Sequence, residues 1–555
     1  MTRENPEAVL RDDDRIIERL WAADTSLWTA DHTARELIRN RLGWLTAPDW
    51  LRAHLPELRD RMDEILALDW KRVVLLGMGG SSLAPKMLSQ IFRASAPGLE
   101  LEVLDSTHPE IVRRVAEAID PTKTLFIVSS KSGTTIEVMA LLAYFDGLLR
   151  AVKAKDRWQN FIAITDSGTP LERLAKEQNF RDCFVSPSDV GGRFSALTYF
   201  GMVPAALLGL DLERLLDSAE QQVAACRTIE PENNSALLFG LRLAAHAMRG
   251  RNKLTLLLSS SIEPLGIWIE QLLAESTGKE GRGIVPVVNE PLLLPQQYGN
   301  DRIFAAVITK EDDALVAHCQ ELEAAGQPVF CSMTGLYDDI GGEIFRWEFV
   351  TAVVGAALRI NPFDEPDVGL SKSTTSSLLA GDDIAGQEML VPCIQEGTLS
   401  LVGDPLKFQG LASISLGLRY LLANVTVGDY VAILAWLSES EQLQEKLLQV
   451  VTLMRKNLTV PVTLGFGPRY LHSTGQLHKG GPNTGIFLQI TSDVSVDLMI
   501  PNHDHTFGDL QRTQADSDLV VLGNLGRRAV RIDLGPDPIV GLSAFLQALK
   551  DALTG

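Results

Sequence analysis

The 555 residues are 45% hydrophobic and 22% charged, which is too long a chain for one compact core and the balance of an ordinary globular protein, so two or three domains are expected. A formal charge of −20 works against nonspecific binding to nucleic acid or anionic membranes. No apolar run of about eighteen residues suggests a membrane span. The polar, acidic stretch Met1 to Asp14 has neither the apolar core of a signal peptide nor a transit-peptide bias, so a cytoplasmic location is expected.

Residues 1–70 read as a helical lead-in, with apolar residues at helical spacing over Arg15–Trp21 and Leu51–Leu68. From Arg72 the pattern becomes strand–helix alternation. Strands are predicted at Val73–Leu76, Leu101–Leu104, Leu125–Val128 and Phe161–Thr165, with helices at Pro109–Ile119, Ile136–Val152 and Pro170–Glu177 between them. A second cycle opens at Leu254–Leu258, with a helix over Pro264–Ser276 and strands near Ile303–Ile308 and Pro328–Ser332. Ser371–Gln395, rich in Ser, Thr, Gly and Asp, reads as a linker. Beyond it, strands at Tyr430–Trp436, Val460–Leu464, Gly485–Ile490, Ser495–Ile500 and Ala529–Leu534 and helices at Ser440–Lys456 and Pro538–Leu553 make a further α/β unit. The expected division is 1–70, 71–240, 241–375 and 376–555. Alternation of this kind argues for α/β units with parallel sheets and ligand sites at the C-terminal ends of their strands.

Two strand-to-helix turns carry the strongest chemical signal. Gly77-Met78-Gly79-Gly80-Ser81-Ser82 precedes a helix expected near Leu83, and Ser129-Ser130-Lys131-Ser132-Gly133-Thr134-Thr135 precedes one near Thr135. Small and hydroxyl residues at a helix N-terminus converge short donors on an anion, and Lys131 adds a charge. Tight packing alone also accounts for the first turn.

Glu275, before Ser276-Thr277-Gly278-Lys279, stands at the unfavourable end of a helix dipole, where its pKa rises as a general base requires; a solvated Glu before a Gly stop fits the local sequence as well. Arg193, after Gly191-Gly192, reads either as a ligand-reaching guanidinium or as a surface turn residue. His472 and His478, with Lys479, fall in one Gly-rich segment suited to proton transfer, although surface loops also carry histidines with no chemical role. His503-Asp504-His505 lacks a third ligand and reads as a solvated turn, and the acidic runs Asp12-Asp13-Asp14 and Asp382-Asp383 as solvated surface. Cys183, Cys226, Cys319, Cys331 and Cys393, scattered and without metal-ligand spacing, are expected as reduced, mostly buried thiols.

Together with Asn361-Pro362-Phe363-Asp364-Glu365-Pro366-Asp367-Val368, these motifs resemble the glucose-6-phosphate isomerase family, in order from Arg72 to Lys372. The resemblance is nearest to the isomerase half of bifunctional transaldolase/isomerase proteins, although nothing suggests a transaldolase barrel. It implies two sugar-isomerase (SIS) type doubly wound domains, to which the pattern above adds a helical N-terminal segment and an additional C-terminal α/β unit. It further implies that Gly80, Ser81, Ser130, Lys131, Ser132 and Thr135 hold a sugar phosphate, and that Glu275 moves a proton between C2 and C1 through a cis-enediol. By the same resemblance Arg193 steadies the developing charge, while Lys372 and His472 assist ring opening, without metal or cofactor.

The chain departs from the family pattern in three places. The His472 segment follows Lys372 where most members have it earlier, Glu365 replaces a usual Gln, and Gly369 a usual Glu. The resemblance also implies a homodimer whose site borrows a histidine from the partner chain, and leaves open an association with a transaldolase. Alternatives are a dual phosphoglucose/phosphomannose isomerase, which Glu365 leaves open, and a non-catalytic sugar-phosphate sensor, which would have no use for Glu275, Arg193, Lys372 and His472 together.

Overall fold

The computed structural model describes residues 15–153 and 155–554, so the acidic run Asp12-Asp13-Asp14 and the expectations drawn from Met1 to Asp14 lie outside the described residues. The strands, in chain order, are β1 (Arg72–Gly77), β2 (Glu100–Leu104), β3 (Thr124–Ser129), β4 (Phe161–Asp166), β5 (Asp182–Ser186), β6 (Lys253–Leu258), β7 (Val285–Val287), β8 (Arg302–Thr309), β9 (Val329–Thr334), β10 (Pro392–Glu396), β11 (Leu399–Val402), β12 (Tyr430–Trp436), β13 (Val462–Phe466), β14 (Gly485–Thr491) and β15 (Arg528–Asp533). They form a sheet ordered β2-β1-β3-β4-β5, a second ordered β7-β6-β8-β9 and a third ordered β10-β11-β15-β14-β12-β13. The first two are parallel throughout. In the third, β10 and β11 pair antiparallel at one edge.

Continuous apolar runs produce this pattern because a parallel sheet is covered by helices on both faces. β3 and β4 are buried along their whole length. One face of the first sheet, with Val73, Leu75 and Ile127, shares a core with Leu254, Ile303 and Val307 of the second and with Trp28, Trp44 and Leu51 of the N-terminal helical segment. That segment is therefore part of the central core, and Trp28 Nε1 donates to the Ala352 carbonyl at 2.9 Å. On the opposite face, Val74, Phe126 and Val128 pack with Val138 and Leu141 and with Ile500, Phe507 and Leu510 from the C-terminal region. A third contact joins Ala274 and Val285 to Tyr470 and Leu477. The C-terminal unit thus wraps both parallel sheets.

Helix starts follow local chemistry. Thr169 caps Pro170–Glu177 through the Glu172 N–H, and Thr506 with Asp509 forms a reciprocal capping box on Phe507–Asn524. Three expectations are corrected. The helix after β1 begins at Gly80 instead of Leu83. Ser371–Gln395 is not a linker throughout, because Val368–Leu379 is a helix and Pro392–Glu396 is β10. Ser495–Ile500 alternates like a strand but is a loop, in which Asp497 accepts from Thr506 Oγ1 at 2.6 Å and from the Gly508 N–H at 2.8 Å.

Candidate active site

β1 and β3 are neighbours, with Gly77 opposite Ser129, so the two Gly/Ser-rich turns lie side by side at the ends of their strands. Gly79 has φ +56°, a conformation that favours glycine. A Cβ on Gly80 would sit 2.1 Å from the Gly192 carbonyl oxygen, so only glycine lets the Gly191-Gly192-Arg193 turn close onto the first helix. Ser129 Oγ donates to the Ser81 carbonyl at 2.9 Å. In the second turn Ser130 Oγ and Thr135 Oγ1 lie 3.0 Å apart, as do Ser132 Oγ and Thr134 Oγ1. Lys131 ion-pairs with Asp166 and donates to the Ser188 carbonyl at 3.2 Å, so an arriving anion would share its ammonium with that carboxylate.

Arg193, which the sequence allowed to be a surface turn residue, is buried. Its Nε donates to Ser276 Oγ at 2.7 Å, and its Nη2 to the carbonyls of Pro362 and Asp364 at 2.7 and 2.8 Å. Its Nη1 stands 3.0 Å from Glu365 Oε2 and 3.5 Å from Glu275 Oε1. Glu275, near the end of helix Leu265–Thr277, is also buried, so the solvated alternative is set aside. Burial pushes its carboxyl above the usual 4.5; Arg193 opposes this and Glu365 reinforces it. Lys279 Nζ reaches Asp364 Oδ1 at 2.7 Å, and burial, with Arg193 nearby, lowers it to about 8. A carboxylate held partly protonatable beside a fixed guanidinium can shuttle a proton next to developing negative charge.

His472 closes the other side. Its Nε2 lies 2.8 Å from Glu137 Oε1, and its carbonyl accepts from Gln271 Nε2 at 2.8 Å; the same amide donates to Glu275 Oε2 at 3.1 Å. The turn Arg469–His472 is tied down by Arg469, which donates to Asp105 at 2.8 and 3.1 Å and pairs with Glu439, while Lys86 reaches Asp105 at 3.1 Å. Gln476 clasps Gly278 O at 2.9 Å and Asp367 Oδ2 at 2.6 Å. A Cβ on Gly278 would meet Leu477 Cα at 2.3 Å, so the C-terminal segment packs directly against the end of the Glu275 helix.

Sequence reasoning did not find Glu137, Gln271, Asp105, Arg469 or Gln514. A signal existed for Glu137, a carboxylate two residues past Thr135 in the first turn of a mostly apolar helix. For the rest the sequence offered no local signature.

Some predicted residues are not brought into this cluster. Lys372 is exposed on helix Val368–Leu379, where its side chain has no ion pair among the described residues. His478 and Lys479, singled out with His472, are buried away from proton traffic: Lys479 pairs with Asp518 at 2.7 Å, and the His478 ring lies 4.9 Å from that of Phe487. His503 and His505 have ring centroids 5.1 Å apart, and among the described residues no group of three metal-ligating side chains is found. The cysteines are free, but only Cys226 and Cys319 are buried, because Cys331 lies on the edge strand β9 and Cys183 and Cys393 are half-covered. Among the described residues no helix is long and apolar enough to cross a membrane.

Two parallel sheets flanked by helices, with Gly/Ser-rich turns at the ends of β1 and β3 and a Glu–Arg–His cluster against the first of them, define the class of α/β sugar-phosphate isomerases. The phosphoglucose isomerase family pattern matches residues 64–285. A glucose-6-phosphate isomerase of Thermus thermophilus is 31% identical over 391 residues, covering 61% of this chain and 90% of the relative, and one of Prochlorococcus marinus is 28% identical over 398 residues, covering 63% and 74%. Among solved structures, a hypothetical protein of T. thermophilus superposes with TM-score 0.59 at 28% identity, covering 68% of this chain and 97% of that one. A glucose-6-phosphate isomerase of Chlamydia trachomatis shares the fold, with TM-score 0.52 at 19% identity over 66% and 86%. The chain belongs to the glucose-6-phosphate isomerase family.

Proposed function

We propose that this chain interconverts glucose 6-phosphate and fructose 6-phosphate, with Glu275 as the base that carries the proton between C2 and C1. The observation that supports this most is Glu275 itself: buried, its carboxyl raised by that burial, 3.5 Å from Arg193 and bridged to His472 by the Gln271 amide. The phosphate sits in the turns of Gly80-Ser81 and Ser130, Lys131, Ser132 and Thr135. His472 takes and returns the ring-opening proton, and Lys372, one turn beyond the loop that wraps Arg193, assists at the same step. Glu275 then abstracts the C2 proton and delivers it to C1, while Arg193 stabilises the oxygen that becomes negative in the cis-enediol.

A coupled assay following glucose 6-phosphate formed from fructose 6-phosphate in EDTA tests this directly. Turnover is expected in the wild type and a loss of about 10³-fold or more in Glu275→Gln, with sugar-phosphate binding retained; a variant with most of its activity would remove Glu275 as the base. Mannose 6-phosphate belongs in the same assay, because Glu365, paired with Arg193 at the cluster's rim, is the feature that leaves a dual-specificity reading open. Comparable rates on both sugars would support it.

We also propose the four-part division at residues 70, 240 and 375, supported by the three sheets lying within β1–β5, β6–β9 and β10–β15; domain-sized fragments from limited proteolysis would check it. A cytoplasmic homodimer, with or without a transaldolase partner, is a further proposal, to be checked by cell fractionation, sedimentation and co-purification. Within one chain the Gln271 amide bridges the His472 carbonyl and Glu275, which supports a site completed without a partner chain.

A further inference from the structure

Helix Phe507–Asn524 belongs to the C-terminal unit, beyond the residues that the family pattern matches, yet it reaches the cluster described above. Gln514 is buried on it, and its Nε2 donates to Glu137 Oε1 at 2.7 Å, the same oxygen that stands 2.8 Å from His472 Nε2. We propose that Gln514 is a positioning residue for the isomerase site, fixing Glu137 as an ionised acceptor so that His472 carries its proton on Nε2 and presents Nδ1 to the sugar. This rests on the reading of His472 as the group that opens the ring.

The geometry leaves little choice of proton placement. An ionised carboxylate only accepts, so two nitrogens converging on one oxygen must both be donors. The Gln514 amide turned over would set its oxygen against that of Glu137, which two acceptors do not tolerate. His472 therefore holds hydrogen on Nε2, and when neutral its Nδ1 is the basic nitrogen. Without Gln514 the buried carboxylate would keep a single side-chain donor, and the proton would move towards Glu137, because an under-solvated carboxylate binds it more strongly. Glu137 is held at about 2 against the upward push of burial by the His472 ring and by these donors.

The other charges around the dyad do not replace Gln514. Glu275 faces His472 from helix Leu265–Thr277, and its negative charge cannot donate. Asp518, one turn beyond Gln514, is committed to Lys479 at 2.7 Å. The helix itself is held in place, since Ser517 Oγ donates to the Ser371 carbonyl at 3.0 Å and the capping box fixes its start.

The test uses the full chain carrying Gln514→Met or Gln514→Glu, with three readouts: the pH dependence of kcat/KM, the isotope effect with glucose 6-phosphate deuterated at C2, and the His472 tautomer from imidazole nitrogen NMR. In Gln514→Met, kcat is expected to fall about tenfold with KM nearly unchanged. The isotope effect should shrink as ring opening becomes limiting, and the Nε2–H tautomer should lose population. Gln514→Glu keeps the shape but sets two carboxyls to share a proton, so the acid limb should rise by about one pH unit or more; this variant decides the matter if Gln514→Met does not fold. Folded variants with the wild-type pH profile, isotope effect and tautomer would overturn the proposal. If the wild type has no isomerase turnover, the functional reading fails, and the tautomer alone judges Gln514: an unchanged Nε2–H form in Gln514→Met would reject it.

Discussion

At the scale of single residues, the chemistry turns on how Arg193 is shared. Its Nη1 stands between Glu365 and Glu275, closer to the former, so Glu365 acts on Glu275, the proposed base, twice: its own charge pushes the Glu275 carboxyl up, and it draws away the guanidinium that would pull it down. Glu365→Gln removes both effects, and Glu275 then ionises at a lower pH. The expected result is an acid limb of kcat/KM that moves to lower pH, read from rates between pH 4 and 8; a limb that stays in place would mean that Glu365 does not reach the base. Much of this was legible in the sequence, because Glu275, Arg193 and His472 each sit in a short segment with glycine, whose backbone brings side chains close to a ligand, and Glu365 in a Pro- and Asp-rich one. Gln271 was not legible, and Glu137 only by its place two residues past Thr135. Their contacts come from convergence across hundreds of residues, Glu137 meeting His472 and Gln271 bridging His472 and Glu275, and the local chain does not name those partners.

At the scale of elements, the parallel strands were easy to read because burial on both faces leaves unbroken apolar runs. Helix Val368–Leu379 was missed because Ser and Thr dominate it and local propensity favours turns; packing of this helix against Phe507–Asn524 overrides that preference. Helix Leu336–Leu358 carries a different cost. Among the described residues neither carboxyl oxygen of its fully buried Glu348 has a hydrogen-bond partner, and burial raises this acid well above its usual 4.5. An acid whose folded pKa is raised binds its proton more tightly in the folded state. Its stabilising protonation is complete below about pH 4.5, and stability is lost as pH rises from there towards the folded value, by up to about 1.4 kcal/mol per pH unit. Glu348→Met, which has no proton to bind, should unfold at a higher temperature than the wild type at pH 8, with the gap narrowing at pH 5. Melting curves at both values check this, and a gap that does not depend on pH would mean that Glu348 is solvated or paired.

At the scale of the whole molecule, the feature the sequence could not reveal is how the C-terminal unit stands to the cleft. Motif order places His472 about a hundred residues after Lys372, and no local pattern says which cleft it enters. In the folded chain the answer is a set of contacts with both parallel-sheet units: Asp105, itself paired with Lys86, holds Arg469, Gly278 and Asp367 hold Gln476, and Glu137 meets His472. Glu290 binds Arg302 at 2.8 Å and Arg455 at 2.6 Å, so a buried carboxylate also ties the second sheet to the third unit. Removing one partner from such a pair costs about 3–5 kcal/mol, and several pairs in parallel make the seam rigid enough to hold the Arg469–His472 turn in place. The consequence separates a site built within one chain from one shared between two. If each chain completes its own site, chains carrying Glu275→Gln and chains carrying His472→Ala, co-expressed so that they can assemble together, stay inactive, because every site lacks one of the two groups. If sites were shared across a two-fold interface, mixed dimers would contain one intact site, and random assembly would restore about a quarter of wild-type activity. The expected outcome is no recovery, together with a specific activity that does not change on dilution. Recovery near a quarter would show that His472 serves a neighbouring chain, and that the contact with Glu137 within one chain is not the one used in turnover.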